Sequence, residues 1–416
     1  MGRILWVKLH RYAGLTIALF LIVSGLTGSI IAFYHELDEG LNPELFSPGT
    51  SGEPLSPYEW KSIVEKADPR VETTFLPLEV HAPGESVTVV VEPRIDPATG
   101  APYEVEYSQV FVDPVNGEIL GNRLWGDCCF ERKNLLPYLY TVHYSLHLPR
   151  EFIGGWENMW GRWLMGGIAI IWFLDCFVGI YLTFPPGRPF LEKWKPAWKV
   201  RRDAGAYRQN FDMHRAGALW PWVLLIFLSM SSIYLNLGFE VFRPVLSTVS
   251  SITPNPFEQR LDRLPNAPYT AQVSYQDIEV RALEEAKRRN WATYLGGIGY
   301  SPHFGIYSAY FFPPGGEHAP GLGHSTLHFE GSTGEVIAHK VPGEGTIGDF
   351  LMEVQFPIHS GQIAGMPGRI IVSMAGLLVA MLSITGIVIW WVKRKGLPAK
   401  TSADTPREES NANVTT

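Results

Sequence analysis

Four histidines recur in matched settings. His10 and Arg11 precede one long apolar run, and His214 and Arg215 precede another. His143 and His359 each fall shortly before a Gly-Arg pair, Gly161-Arg162 and Gly368-Arg369, that opens a further apolar run. Imidazole is an axial ligand for haem iron, and facing helices can supply one ring from each side. The ligating nitrogen must be unprotonated, because a protonated one has no lone pair to give. A lone histidine at a helix end more often sits at an interface or caps a helix. Two pairs at matched depth are what a four-helix bundle needs to hold two bis-histidine haems. There is no Cys-x-x-Cys-His, so each would be held without thioether links, as haem b. Arg11, Arg215, Arg162 and Arg369 stand where haem propionates need cations.

The apolar runs cover 12–34, 163–184, 216–239 and 370–392, each long enough to cross a bilayer, which takes about 20 residues. The first follows Arg3, Lys8 and Arg11 but is too long for a cleaved signal, so it is expected to be an anchor. Only the second carries a charge, Asp175. An intramembrane carboxylate is costly unless functional or paired. Asp175 therefore reads either as a proton relay or quinol-headgroup site, or as a neutral acid bonded to a hydroxyl or a Trp N–H.

Orientation follows the basic segments. The link between the second and third spans holds Arg188, Lys193, Lys195, Lys199, Arg201, Arg202, Arg208 and Arg215, and the last span ends in Lys393, Arg394 and Lys395. Both termini and this link are expected in the cytoplasm, with two long outer loops. The expected division is 1–35 for the first span, 36–135 for a first outer domain, and 136–185 for an outer helix and second span. A basic cytoplasmic loop at 186–213 and the third span at 214–239 follow. A second outer domain takes 240–348, an outer segment and fourth span 349–395, and a disordered cytoplasmic tail 396–416.

Composition agrees with a lipid bilayer as partner. Charged residues are 18% of the 416, against roughly 25% in soluble proteins. With 34 basic and 41 acidic residues, net −7, no basic field exists to bind nucleic acid.

The two halves repeat one order of landmarks. Asp113 to Gly121 matches Glu330 to Ala338, each a tight turn with Gly117 or Gly334 at positive φ and then a strand. A parallel duplication predicts a pseudo-two-fold axis along the membrane normal. Each outer segment starts with a helix, 57–67 or 275–290. Strand patterns follow at 86–92, 109–112, 294–300 and 306–312, which makes an α+β layer. The fold class is thus an α-helical membrane protein: a four-helix transmembrane bundle with two α+β outer domains.

Leu9, His10 and Arg11 with Gly14, Phe33 to Asp38 with Asn42 and Pro43, Asp113 with Gly117, and His359 to Gly361 with Pro367, Gly368 and Arg369 together resemble the PepSY-associated transmembrane family. The resemblance covers nearly the whole chain to the end of the fourth span. It implies an inner-membrane protein with PepSY-like periplasmic domains, similar to dihaem reductases of ferric siderophores. The residues carried over are His10, His214, His143 and His359 as haem-iron ligands; no residue is assigned as catalytic. A longer spacing around Trp156 to Trp160 leaves His147 or His35 as alternatives to His143. Cytoplasmic segments too short for a flavin or nicotinamide domain imply a quinol or a separate reductase as electron donor. A non-redox, membrane-anchored binding or regulatory protein, or a siderophore transporter, is the competing reading.

Two motifs carry less. Gly343, Gly345 and Gly348 match G-x-G-x-x-G without a βαβ unit. His324 and His328 on one strand would stand about 13 Å apart at roughly 3.3 Å per residue, too far to share a metal.

Overall fold

The structure, a computed structural model, describes residues 2–128, 131–148, 159–263, 268–313, 316 and 319–396. Most of the Trp156 to Trp160 spacing and nearly all of the expected tail lie outside the described residues. Among the described residues, four helices are long and apolar enough to cross a membrane. Such runs become helices in lipid because every backbone N–H and C=O is then bonded within the segment.

The first half runs through α1 (Arg3–Ile31), α2 (Tyr34–Leu41), α3 (Pro43–Phe46) and α4 (Pro57–Ala67) into strands β1 (Val71–Pro77), β2 (Val87–Pro93), β3 (Gln109–Val112) and β4 (Ile119–Arg123). It closes with α5 (Leu135–Ser145) and α6 (Met159–Thr183), and α7 (Phe190–Trp194) lies in the basic link. The second half repeats this with α8 (Ala206–Leu219), α9 (Trp222–Leu237), α10 (Arg243–Ser247) and α11 (Tyr275–Arg288). Strands β5 (Tyr294–Ser301), β6 (Ile306–Phe312), β7 (Ser325–Glu330) and β8 (Val336–Lys340) precede α12 (Ile347–Glu353), α13 (Gln355–Ser360) and α14 (Gly365–Arg394). The stretch expected as one span at 216–239 is broken at Trp220-Pro221. Pro221 has no N–H to give, and its ring crowds the carbonyl one turn back. His214 therefore rides on α8, below the apolar helix α9.

The two outer segments do not form separate sheets. All eight strands join in the order β4-β3-β2-β1-β5-β6-β7-β8, antiparallel throughout. The seam pairs Phe75 with Gly299, Leu76 with Ile298 and Pro77 with Gly297. Antiparallel pairing of two equivalent strands is what a two-fold axis between the halves produces. Gly297 serves the seam directly, because a Cβ there would meet the Phe75 ring at 2.7 Å. Each half keeps its own core. Trp60 and Val64 of α4 pack on Val71, Val87, Val89 and Val91, which alternate as a half-covered strand requires. Ile278 and Ala282 of α11 pack on Ile298, Ala309, Phe311 and Phe329, and Leu76 crosses from β1 into this second core. The Tyr275 hydroxyl donates to the Thr73 carbonyl at 2.7 Å, tying one half to the other.

Below the sheet, α1 packs on α14 and α6 on α9, the equivalent pairs of the duplication. Gly25 and Gly376 let the first pair approach closely: a Cβ on either would come within 2.5 Å of the other's carbonyl oxygen. Ser29 and Ser373 each donate a hydroxyl to the other's carbonyl, at 2.8 and 2.9 Å. Small residues with hydroxyl bonds are the usual means of holding helices together in lipid. The start of α1 reaches the end of α6, where Arg3 donates to the Phe184 carbonyl at 2.9 Å. The basic link, the start of α1 and the end of α14 therefore gather at the end of the bundle opposite the sheet.

Candidate cofactor site

The four repeated histidines meet in two pairs. The rings of His10 and His214 have centres 6.2 Å apart and planes at 55°, and those of His143 and His359 have centres 5.9 Å apart and planes at 61°. Two imidazoles sharing one iron stand roughly 6 Å apart, from about 2 Å per metal–nitrogen bond plus about 1 Å from nitrogen to ring centre on each side.

Each ring is oriented through Nδ1. His143 Nδ1 lies 3.0 Å from the Ser24 carbonyl and 3.2 Å from the Thr27 hydroxyl. His359 Nδ1 lies 2.9 Å from the Ser231 hydroxyl. His214 Nδ1 lies 3.0 Å from both the Leu382 carbonyl and the Thr385 hydroxyl. His10 Nδ1 lies 2.9 and 3.0 Å from the two carboxylate oxygens of Asp175. Carbonyls only accept. The three hydroxyls already give their protons to Val23, Leu228 and Met381 carbonyls on their own helices. Nδ1 is therefore the protonated nitrogen in every ring, and the Nε2 lone pair is left for a ligand. Among the described residues, Nε2 of none of the four makes a hydrogen bond.

Glycines supply the room. A Cβ on Gly28 would sit 2.8 Å from the His143 ring, and one on Gly386 3.2 Å from the His214 ring. Gly161 and Gly368 fix the outer histidines from below. Their own Cβ atoms would land 2.1 Å from the Ser145 carbonyl oxygen and 2.0 Å from that of Gly361, each two residues past a histidine.

A cavity of about 950 Å³ opens among the sheet-side halves of α1, α6, α9 and α14, with His143 and His359 in its wall. Leu21, Ile168, Ala169, Val372 and Val379 make it apolar within the bundle; Tyr34, Trp125, Tyr140, His324 and Lys340 also line it. Volumes of roughly 300–1,000 Å³ with apolar walls and a few placed polar groups suit a cofactor. The two imidazole pairs are about 21–26 Å apart along the bundle, taking about 1.5 Å per residue on α1 from His10 to the Ser24–Thr27 turn that holds His143.

The profile of the PepSY-associated TM region matches residues 7–393. The chain belongs to the PepSY-associated transmembrane family. Among curated proteins, none matches it.

In this PepSY-family chain three of the four arginines expected to meet propionates, Arg369, Arg162 and Arg215, have protein partners. Arg369 makes a two-toothed pair with Glu36, at 2.7 and 2.6 Å, and donates to the Ala32 carbonyl at the end of α1. Arg162 repeats the capping role on the Asn236 carbonyl of α9, and both arginines still line the cavity. Arg215 turns to Asp212 and to the Pro196 and Ala197 carbonyls. Asp175 meets neither a hydroxyl nor a Trp N–H in the contacts described above; its partner is His10. Of the alternatives to His143, His147 sets Nδ1 3.1 Å from the Thr141 hydroxyl and packs on Tyr138. His35 stands edge-on to Tyr34.

Sequence reading missed the partners of the ligand candidates: Ser24, Thr27, Ser231 and Thr385. The repeat carries their signal, since Thr27 and Ser231 stand equally far from His10 and His214. His324 and His328 are part of the sheet's packing. His328 Nδ1 is 2.9 Å from the Ser308 hydroxyl, and His324 lies among Tyr310 and Phe312. Burial pushes both down to about 4. Among the described residues no group of three or more His, Cys, Asp and Glu is placed to hold a bare metal ion.

Proposed function

We propose that this protein is a dihaem b oxidoreductase of the bacterial inner membrane that passes electrons outward to a ferric siderophore in the periplasm. The observation that carries the reading is the double imidazole pair, each at the spacing of two ligands on one iron, with Nδ1 bonded and Nε2 left without a hydrogen bond among the described residues. Two imidazoles alone leave a metal short of ligands, so the remaining donors must come with the metal, as in a porphyrin. His10 with His214, and His143 with His359, would hold the two groups. Bound there, each would supply a one-electron iron couple, one toward either face of the membrane.

The chain's own residues then have definite tasks. Ser24, Thr27, Ser231 and Thr385 hold the imidazole planes and keep the proton on Nδ1. The apolar walls of the outer cavity exclude water. The basic link at 186–213 and the Lys393-Arg394-Lys395 end favour the cytoplasm, which supports a periplasmic position for the eight-stranded sheet. The substrate is Fe(III) in a chelate of hard oxygen donors, which hold Fe(II) far less tightly; one electron converts each Fe(III) to Fe(II) and loosens it. A quinol giving two electrons releases two protons and serves two ferric ions; a separate reductase is the other donor class.

The test is stopped-flow reoxidation. Purified protein reduced with dithionite, freed of excess reductant, is mixed with ferric hydroxamate or catecholate chelates and a chromogenic Fe(II) trap. The expected result is loss of the reduced α band with one trapped Fe(II) per electron. A red protein that stays reduced in every ferric chelate rules out the substrate assignment, leaving haem binding to be judged separately.

A further inference from the structure

The duplication matches nearly every contact around the four histidines, and it breaks at one. Leu382 stands as far past Arg369 as Asp175 stands past Arg162. At His214 the Nδ1–H meets the Leu382 carbonyl and the Thr385 hydroxyl, both neutral. At His143 and His359 the acceptors are again a carbonyl or a hydroxyl. Only His10 faces a carboxylate, with both Asp175 oxygens in range. The Asp175 side chain is 12% exposed, so little water screens the pair.

A carboxylate accepting from Nδ1–H gives the imidazole anionic character and makes Nε2 a stronger donor. A stronger donor favours Fe(III) over Fe(II), and hence a lower reduction potential. We propose that Asp175 is a positioning and tuning residue for His10 that sets the cytoplasmic-side iron below the periplasmic-side iron in potential, so that one-electron transfer runs downhill toward the sheet. This rests on the dihaem reading above and adds a direction to it.

The test is a spectroelectrochemical titration of the haem-loaded protein. Wild type is expected to show two waves. Asp175→Asn keeps a hydrogen-bonding side chain without the charge. It should raise the lower wave by about 59 mV or more, at least a tenfold change in the reduced-to-oxidised ratio, and leave the upper wave in place. Asp175→Glu should restore most of the difference, which a purely structural role for the side chain does not predict. A second measurement does not depend on how Asp175 variants fold: in His143→Ala/His359→Ala the remaining wave should be the lower one of wild type. A red protein whose remaining wave is the upper one, or whose lower wave is unmoved by Asp175→Asn, overturns the tuning role and spares the dihaem reading. A colourless protein overturns both.

Discussion

Gly368 and Gly361 touch so closely that a Cβ on Gly368 would come 2.0 Å from the Gly361 carbonyl oxygen, and Gly161 repeats this on Ser145. The helices α5 and α13, which carry His143 and His359, are thereby seated on the first turns of α6 and α14. A methyl group at either glycine must push a histidine helix away from its partner. Gly368→Ala and Gly161→Ala are each expected to cost about 1–3 kcal/mol of packing and to lower haem content toward one per chain. Absorbance per polypeptide after purification checks this; two full equivalents in both variants would show that the seat does not set the ligand.

Thr27 and Ser231 hold the outer imidazoles through Nδ1, on the side of each ring away from Nε2. Loss of such a partner typically weakens a metal site about 10–100-fold. Thr27→Val and Ser231→Ala should therefore speed transfer of haem from the outer site to apomyoglobin by a factor in that range. Their equivalents at the inner site should be unaffected. Equal rates in wild type and variants would count against a bonded Nδ1 at these positions.

At Gly25 and Gly376 the backbones of α1 and α14 approach until a Cβ on either would come 2.5 Å from the other's carbonyl oxygen. Gly376→Val should lower the unfolding midpoint in detergent by several degrees and shift many side chains in the bundle, while Ser29→Ala, losing a hydroxyl bond of about 0.6 kcal/mol, should shift it little. A smaller effect from Gly376→Val than from Ser29→Ala would place the helix contact elsewhere.

Acid should act in two windows. The Arg369 guanidinium beside Glu36 holds its carboxyl at about 2, below the ordinary 4.5. A lowered folded-state value gives stability that is present above about 4.5 and is lost as pH falls toward 2. His324 and His328, at about 4 against an ordinary 6.5, lose their contribution between 6.5 and 4, because the unfolded chain takes up protons first. Melting curves from pH 7 to 3 should fall in both ranges. Glu36→Gln should flatten only the lower range and His328→Gln only the upper, and identical profiles would remove these groups as the cause.

Much of the fold was legible because the lipid imposes it. Four uncharged or nearly uncharged runs had to be helices, and the Asp113 and Glu330 turns announced strands through Gly117 and Gly334. The joined sheet was not legible, since edge pairing of β1 with β5 is a long-range contact that neither strand's own alternation encodes. Pro221 marked the break in the third span, but a proline in an apolar run is tolerated in membranes and so was passed over. At the site, the pairing of His10 with His214 and of His143 with His359 followed from the repeat. The Asp175–His10 bond did not, because it joins two spans whose rotation about their axes no sequence pattern fixes.

The most direct measurement is a pyridine haemochrome count on protein expressed with ample haem. It should be read for wild type, His10→Ala/His214→Ala and His143→Ala/His359→Ala. Two protohaems per chain in the first, and one in each of the others, is the predicted result. A colourless wild type, or a haem content indifferent to both double substitutions, would contradict the account.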